Sequence, residues 1–177
     1  SWQLKLFKDV EDLRLVIGFQ GSEIIEEVRK YRDDVIFCYN QRYFETKTGA
    51  SYYLGARHAN DYSLEWDGDL LVHPDDVKRI LETEGEFICY AEKSSDEAVW
   101  VQTDEEGLVH AFSRERGDYE WTGPACLSKV NLTYSSQNVF NMFEPFLPMR
   151  GILVRAYDID TYNDYQRVQE ITKDWKL

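Results

Sequence analysis

Strand-like and helix-like patterns alternate through the first half of the chain, and this alternation restricts the fold more than any other feature. A β-rich run from Leu13 to Gly18 is followed by a helix that Ser22 can cap, and then by a strand from Asp34 to Tyr39. A helix from Ala50 to Ala59 and a strand from Ser63 to Leu71 come next. This order predicts an α/β fold with right-handed crossovers, in which a mostly parallel, Rossmann-like central sheet has helices on both faces, a three-layer α/β/α arrangement.

After a helix that begins at His73-Pro74, the pattern changes to strands joined by short polar turns. These predicted strands form a β-meander inserted into the sheet, and they span Glu86 to Ala91, Ala98 to Thr103, Leu108 to Ser113 and Tyr119 to Leu127. A helix from Ser135 to Phe146, a strand from Gly151 to Tyr157 and a helical pattern from Thr161 to Trp175 complete the chain. Because no linker or repeat interrupts these patterns, we predict a single domain over residues 1–177.

Composition limits the classes of partner. Apolar residues make up 43% of the 177 residues, enough for one packed core, and the formal net charge is -13. A field of that sign repels phosphate backbones and anionic lipids, so we expect neither nucleic acid nor a membrane surface as a partner. An anionic small substrate therefore requires a metal ion or a local basic patch.

The cysteines and the apolar runs indicate the compartment. Cys38, Cys89 and Cys126 lie far apart in apolar, strand-like runs, which is typical of buried, reduced thiols. No run approaches the ~20 apolar residues that a membrane-spanning helix needs. With no pattern typical of a signal peptide, the sequence predicts a cytoplasmic protein.

Two predicted strands end in paired carboxylates. The strand from Ser63 leads into Asp67-Gly68-Asp69, and the strand from Gly151 leads into Asp158-Ile159-Asp160. Ligands of open α/β sheets bind beyond the carboxyl ends of the strands, so we expect the two acidic ends to face each other across a crevice. Aspartate also terminates strands and caps helices without any further role, and the sequence leaves this interpretation open.

Several short motifs occur in a fixed order between Trp2 and Trp175. They are Val16-Ile17-Gly18-Phe19-Gln20, Asn40 with Thr48-Gly49-Ala50-Ser51, Asp67-Gly68-Asp69, Glu120-Trp121-Thr122-Gly123-Pro124, and Tyr157-Asp158-Ile159-Asp160-Thr161 with Asp164. Together they resemble the nucleotidyltransferases of the sugar-phosphate and phosphocholine cytidylyltransferase type. That family has a GT-A-like α/β fold and joins a nucleoside triphosphate to a phosphorylated small molecule.

The resemblance implies a magnesium site and a reaction. Asp69 and Asp160 match the two carboxylates that bind Mg²⁺ in the family, and Asp67 and Asp158 are their neighbours. Mg²⁺ prefers oxygen ligands and bridges one or two carboxylates to substrate phosphates. The implied reaction transfers a nucleotidyl group, with CTP favoured, to a sugar phosphate or phosphocholine and releases pyrophosphate.

The resemblance also assigns two binding segments. Gly49, Ala50 and Ser51 match the segment that contacts the nucleobase, although Thr48 could simply cap a helix there. Glu120 and Gly123 match the segment that contacts the acceptor, and a solvated hairpin carboxylate is the alternative for Glu120. An exposed sheet edge, or the aromatic helix from Ser135 to Phe146, could support a homodimer.

The chain departs from the family at its start. Family members begin with a strand and a glycine-rich, basic loop that wraps the triphosphate, whereas Ser1 to Leu4 corresponds to the helix that follows this loop. The departure predicts either that the sequence belongs to a longer chain or that the protein is a non-catalytic relative that binds a nucleotide or a protein. A glycosyltransferase of GT-A type, using Asp67 to Asp69 with a nucleotide-sugar donor, is a third interpretation.

Overall fold

A computed structural model describes residues 2–93 and 99–175, and the chain divides into two compact units. Unit 1 comprises Ser1–Ser63 and Ser128–Pro145, and unit 2 comprises Leu64–Leu127 and Phe146–Leu177. The expectation that residues 1–177 form a single domain stays a prediction.

Six α-helices and ten strands are present among the described residues. The helices are α1 (Trp2–Leu6), α2 (Gly21–Arg29), α3 (Thr48–Ala56), α4 (Pro74–Leu81), α5 (Phe140–Phe143) and α6 (Tyr162–Ile171). The strands are β1 (Arg14–Ile17), β2 (Ile36–Tyr39), β3 (Tyr62–Glu65), β4 (Leu70–Val72), β5 (Phe87–Ala91), β6 (Trp100–Thr103), β7 (Leu108–Ser113), β8 (Tyr119–Ser128), β9 (Met149–Leu153) and β10 (Ala156–Asp158). Short 3-10 helices occupy Glu144–Phe146 and Thr172–Asp174.

The strands form two two-stranded sheets and one six-stranded sheet. β1 and β2 make a parallel pair in unit 1, and β4 and β10 make an antiparallel pair in unit 2. The main sheet has six strands in the order β3-β8-β5-β9-β7-β6. The predicted α/β class is confirmed, but the sheet is mixed: β5 and β9 are parallel, whereas the pairs β5–β8, β6–β7, β6–β8 and β7–β9 are antiparallel. A meander returns through short turns, and short turns join antiparallel strands.

Each unit has its own buried residues. In unit 1, Leu4 of α1, Val28 of α2 and Val35 form a core cluster, and Leu15 and Phe37 pack against it from β1 and β2. In unit 2, every residue of β5 is buried, as expected for a central strand covered on both faces. In unit 1, the packing of Leu15 and Phe37 against the cluster that contains Val28 shows that the apolar face of α2 covers one side of the β1–β2 pair.

The amino-terminal end of α4 fixes the strand that follows β9. His73 caps the helix by accepting a hydrogen bond from the Asp75 N–H, and Pro74 takes the first position, as predicted. Asp76 is buried, and its Oδ2 accepts from the Arg155 N–H at 3.0 Å and from Arg155 Nε at 2.8 Å. Because Asp76 captures the Arg155 N–H, the predicted strand from Gly151 to Tyr157 is interrupted there and forms β9 and β10.

Two other predicted elements differ from the structure. The predicted strand from Ser63 to Leu71 is divided into β3 and β4, because the chain turns at Asp67, whose carbonyl accepts from the Leu70 N–H. The predicted helix from Ser135 to Phe146 is reduced to α5 and a 3-10 turn. Its first part is irregular, with bends at Ser136 and Gln137, whose carbonyls accept from the start of α3 instead. The predicted strand from Ala98 is β6, and Ala98 itself lies outside the described residues.

The three cysteines are free thiols. Cys89 and Cys126 are buried as predicted, and burial raises the pKa of Cys126 to about 11. Cys38 differs from the prediction because it is only half-buried. Among the described residues, no helix combines the length and the apolar character that crossing a bilayer demands.

Asp76→Asn is expected to lower the free energy of unfolding by about 1–3 kcal/mol at pH 7, because Arg155 and Arg79 lose a charged acceptor. Burial raises the pKa of Asp76, but the hydrogen bonds and charge of Arg155 and the charge of Arg79 together outweigh it and hold the pKa below its usual value. The contribution is therefore present above the unfolded-state pKa of about 4 and is lost as the pH falls through the folded-state pKa. Urea denaturation at pH 7 and pH 3 measures it.

Asp75→Asn is the matched control. Asp75 is on the same helical turn, but its side chain is 82% exposed and lies 3.8 Å from Arg155. We expect it to change the stability by less than about 0.5 kcal/mol. Equal losses for the two variants would contradict a special role of Asp76.

Candidate functional site

The two acidic strand ends of the sequence meet in unit 2. β4 and β10 pair antiparallel, with Val72 opposite Ala156 and Leu70 opposite Asp158. One step further, the Ile159 N–H donates to the Asp69 carbonyl at 3.1 Å. Asp69 and Asp160 therefore lie at the same end of one ladder.

The local chain path decides which of these side chains reach solvent. The turn from Asp67 to Leu70 closes through a hydrogen bond from the Leu70 N–H to the Asp67 carbonyl at 3.3 Å. Asp69 and Asp160 are exposed, whereas Asp67 and Asp158 are half-buried. The pair predicted to bind a metal is thus the accessible one, and the pair predicted to be its neighbours lies deeper.

β8 supplies the residues predicted to contact an acceptor. Glu120 is buried, and its Cα is opposite Ala91 of β5 and Trp100 of β6. Gly123 has φ +100, and a Cβ built there would lie 2.6 Å from Asp67 Oδ2. The structure therefore places Gly123 directly against one carboxylate of the acidic turn. A left-handed backbone and this close approach together explain the glycine.

Glu65 also belongs to this acidic group, although the sequence did not predict it. This residue ends β3, two residues before Asp67, and is 8% exposed. Its carboxyl group shares a hydrogen bond with Asp67, and within the described part of the chain its Oε2 has no hydrogen-bond partner. Alternation places Glu65 on the polar face of Ser63-Leu64-Glu65-Trp66 together with Ser63, so the sequence carried no signal of its burial.

Like charges perturb this group of carboxyls. Burial, followed by the charge of Asp69, raises the pKa of Asp67 to about 6. Burial, followed by the charges of Asp69, Asp67, Asp160 and Glu120, raises the pKa of Asp158 to about 7. Glu65 has its pKa raised well above the usual value, first by burial and then by Asp67. Six carboxyl groups thus act on one another, and a cation among them would relieve the repulsion.

The donor chemistry fits Mg²⁺, which takes oxygen ligands. Among residues 2–93 and 99–175, however, no three histidine, cysteine, aspartate or glutamate side chains converge closely enough to hold a metal. A site with two protein carboxylates, completed by water and substrate phosphates, is compatible with both facts. Asp69 and Asp160 are the residues that would form it.

The segment predicted to contact a nucleobase lies in unit 1. The Gly49 N–H donates to the Gln137 carbonyl at 2.9 Å, and a Cβ at Gly49 would lie 2.7 Å from that oxygen. The Ser51 hydroxyl accepts from Asn40 Nδ2 at 3.1 Å, and Ala50 is buried. Packing thus accounts for the small side chains, and the role of Gly49, Ala50 and Ser51 in binding a base stays a prediction.

Three polar residues have structural tasks. Thr48 does not cap α3, since its Oγ1 accepts from the Val139 N–H at 2.9 Å. Asp164 completes a capping box with Thr161 at the start of α6, in agreement with the interpretation of Asp164 as a helix-start charge. Arg155 pairs with Asp76.

Several solved structures have the same fold. The inositol-1-phosphate CTP transferase from T. maritima has a TM-score of 0.75 at 16% identity, and the match covers 99% of this chain and 83% of that chain. CTP:phosphocholine cytidylyltransferase from Streptococcus pneumoniae has a TM-score of 0.70 at 15% identity, covering 97% and 84%. A UDP-glucose pyrophosphorylase complexed with UDP-glucose has a TM-score of 0.69 at 11% identity, covering 96% and 85%.

These similarities confirm the predicted GT-A-like fold of nucleotidyltransferases. No protein-family model matches the sequence, and no curated protein is similar to it in sequence. At these identities the similarity establishes the fold.

Asp158→Asn is expected to stabilise the protein at pH 8, because it removes a charge that the folded state holds unfavourably. A carboxyl whose folded-state pKa is raised lowers stability above that pKa, and the penalty disappears as the pH falls toward the unfolded-state value of about 4. With a folded-state pKa of about 7, the advantage of the variant shrinks between pH 7 and pH 4. Thermal denaturation across this range measures it, with the exposed Asp33→Asn as control. An advantage that is constant with pH contradicts the electrostatic origin.

Gly123→Ala is expected to destabilise the protein by about 1–3 kcal/mol, since alanine is strained at φ +100 and its Cβ would displace the Asp67 carboxylate. Gly68→Ala is the matched control in the acidic turn, because nothing lies within 4 Å of its Cβ position. Urea denaturation of both variants compares them. If the two variants were equally stable, a Cβ at position 123 would be tolerated beside Asp67, and the prediction would be wrong.

Proposed function

We propose that this protein transfers a nucleotidyl group from a nucleoside triphosphate, with CTP favoured, to a phosphorylated small molecule such as a sugar phosphate or phosphocholine, and releases pyrophosphate. The observation that carries the proposal is the ladder of β4 and β10, which brings the ends at Asp69 and Asp160 together in a fold shared with nucleotidyltransferases. A magnesium ion is the proposed cofactor.

Asp69 and Asp160 are the proposed metal ligands and the catalytic residues. Both are exposed, so substrate phosphates can complete the coordination of a cation that they hold. When bound, Mg²⁺ would neutralise negative charge at the α-phosphate during in-line attack by the acceptor phosphate. Asp67 and Asp158, which lie deeper, would strengthen the local negative potential that attracts the cation.

Glu120 and Gly123 are the proposed acceptor contacts. Glu120 is buried and acts electrostatically on Asp158, so a polar group of the acceptor could bind beside the phosphate-binding end. Gly123 lets the backbone of β8 approach Asp67 without a side chain in between. A phosphorylated hydroxyl compound or amino alcohol has suitable groups for this position.

The preference for CTP is supported by the names of two structural neighbours, an inositol-1-phosphate CTP transferase and a CTP:phosphocholine cytidylyltransferase. The net charge of -13 supports small anionic substrates that arrive with a metal ion, and it opposes nucleic acid and membranes as partners. We also propose a cytoplasmic location, because free thiols persist in a reducing compartment.

Asp69→Asn and Asp160→Asn are each expected to lower pyrophosphate release by at least about 100-fold, since one carboxylate of the proposed pair is lost. The assay combines the protein, Mg²⁺, each of the four common nucleoside triphosphates and a panel of phosphorylated sugars, inositols and amino alcohols. Asp33→Asn, which changes an exposed carboxylate of unit 1, should retain full activity.

Two other outcomes would replace the proposal. Nucleotide binding in calorimetry without pyrophosphate release under any condition would favour a non-catalytic binding protein. Hydrolysis of a nucleotide sugar without turnover of any triphosphate would favour a glycosyltransferase that uses Asp67 to Asp69.

Binding of Mn²⁺, followed by electron paramagnetic resonance in the parent protein and in Asp69→Asn, tests the metal site separately from turnover.

A further inference from the structure

One edge of β2 is open in unit 1. In the parallel pair of β1 and β2, the Ile36 N–H donates to the Leu13 carbonyl and the Asn40 N–H donates to the Ile17 carbonyl. Backbone groups alternate in direction along a strand, so those of Phe37 and Tyr39 point away from β1. Among the described residues, β2 pairs with β1 alone.

The open edge lacks the features by which proteins usually protect such strands. β2 reads Ile-Phe-Cys-Tyr and contains neither proline nor a charged residue. Ile36 is 48% exposed and Tyr39 is 53% exposed. An apolar, unprotected edge is a template for another strand.

A cleft of about 400 Å³ lies against β2, and Arg14 of β1 also lines it. Its walls include all four residues of β2, together with Leu54, Arg57 and His58. The space leaves the side chains of an added strand room next to Ile36 and Cys38. The surface next to Ile36 and Cys38 is therefore accessible.

We propose that two copies of this chain associate through antiparallel pairing of β2 with β2 about a two-fold axis. A symmetric interface requires a self-complementary patch, which an antiparallel strand pair provides. The register with Cys38 opposite Cys38 of the second copy places Phe37 opposite Tyr39 of the second copy, and Tyr39 opposite Phe37. It uses the outward N–H and carbonyl groups of both residues in both copies, which gives four hydrogen bonds and two aromatic cross-strand pairs.

Charge selects the antiparallel direction. Asp34 precedes β2 and pairs with Arg32 at 2.6 Å, and Arg42 follows β2 and pairs with Glu45 at 2.8 Å; the side chains of Asp34 and Arg42 are nevertheless 62% and 69% exposed, so each can take a second partner. Antiparallel pairing brings Asp34 of one copy toward Arg42 of the second at both ends of the interface. Parallel pairing would instead place Asp34 beside Asp34, which is unfavourable. Because β2 has only four residues, the contact is small and the association is weak and concentration-dependent.

Cys38 provides a specific chemical test. Opposite residues at the non-hydrogen-bonded positions of an antiparallel pair have Cα atoms about 4.5 Å apart, within the range that a disulfide spans. Cys38 is half-buried, whereas Cys89 and Cys126 are buried. Two Cys38 thiols on the axis should therefore join when diamide takes up the two electrons and two protons that they lose.

The experiment combines sedimentation equilibrium with crosslinking of the full chain. The weight-average mass should rise toward twice that of one chain over about a hundredfold range of protein concentration. Diamide should yield a covalent dimer whose peptide map shows Cys38 joined to Cys38. Cys38→Ser should abolish the crosslink and leave the concentration dependence of the mass unchanged.

Two variants act on the edge itself. Tyr39→Pro removes an outward N–H and leaves the β1 ladder intact, as proline is tolerated at such edge positions, and Tyr39→Lys places a charge on the edge. Each should raise the dissociation constant at least about tenfold. Val130→Lys, at a residue that is 89% exposed, is the control and should have no effect. Circular dichroism confirms folding of each variant.

The proposal is overturned if the parent protein stays monomeric across the concentration range. It is also overturned if a dimer forms that neither Tyr39 variant weakens, because another surface then holds the copies together. A crosslink through Cys38 that persists in both folded Tyr39 variants reports random collision and likewise contradicts the pairing.

Discussion

The hydrogen bonds between Asp76 and Arg155 hold the acidic end of unit 2 in place. They engage both the backbone N–H and the side chain of Arg155, while the Arg155 carbonyl accepts from the His73 N–H at 2.9 Å. The residue before β10 is thus fixed on both of its backbone groups. β10 can then pair with β4 in one register only, and that register sets Asp158 and Asp160 beside Asp69. The ion pair between the buried Asp76 and the exposed Arg155 thus determines geometry as well as contributing to stability.

This fixed geometry forces like charges together. The fold brings Glu65, Asp67, Asp69, Asp158 and Asp160 within electrostatic reach of one another, at a cost that shows in the raised pKa values of Asp67 and Asp158. Stability must come from elsewhere, and the fully buried β5 and the tightly packed β8 are where unit 2 gains it. A local arrangement that opposes folding is typical of a functional site, and this supports the proposed role of the acidic end.

The local sequence pattern predicted most helices and strands and the two acidic strand ends. Strand alternation, glycine and capping residues determine the backbone of only a few neighbouring residues, so they can be interpreted without knowledge of the fold. The strands β1, β2, β5 and β7 and the capped start of α4 fall where the sequence places them. The breaks within Ser63–Leu71 and Gly151–Tyr157 were missed because distant partners cause them, as when Asp76 takes the N–H of Arg155. Glu65 was missed for a related reason: only the fold shows that its strand position is buried.

The ladder between β4 and β10 joins segments that are far apart along the chain. Closing such a long loop costs entropy before any hydrogen bond forms, so contacts of this kind tend to appear late in folding. During synthesis, the Asp67–Asp69 turn leaves the ribosome long before the strand that completes it. Asp158 and Asp160 therefore reach Asp69 only after the residues between the two strands have been synthesised. The repulsion between the two acidic ends thus begins when β10 docks on β4, and β5 and β8 precede β10 along the chain.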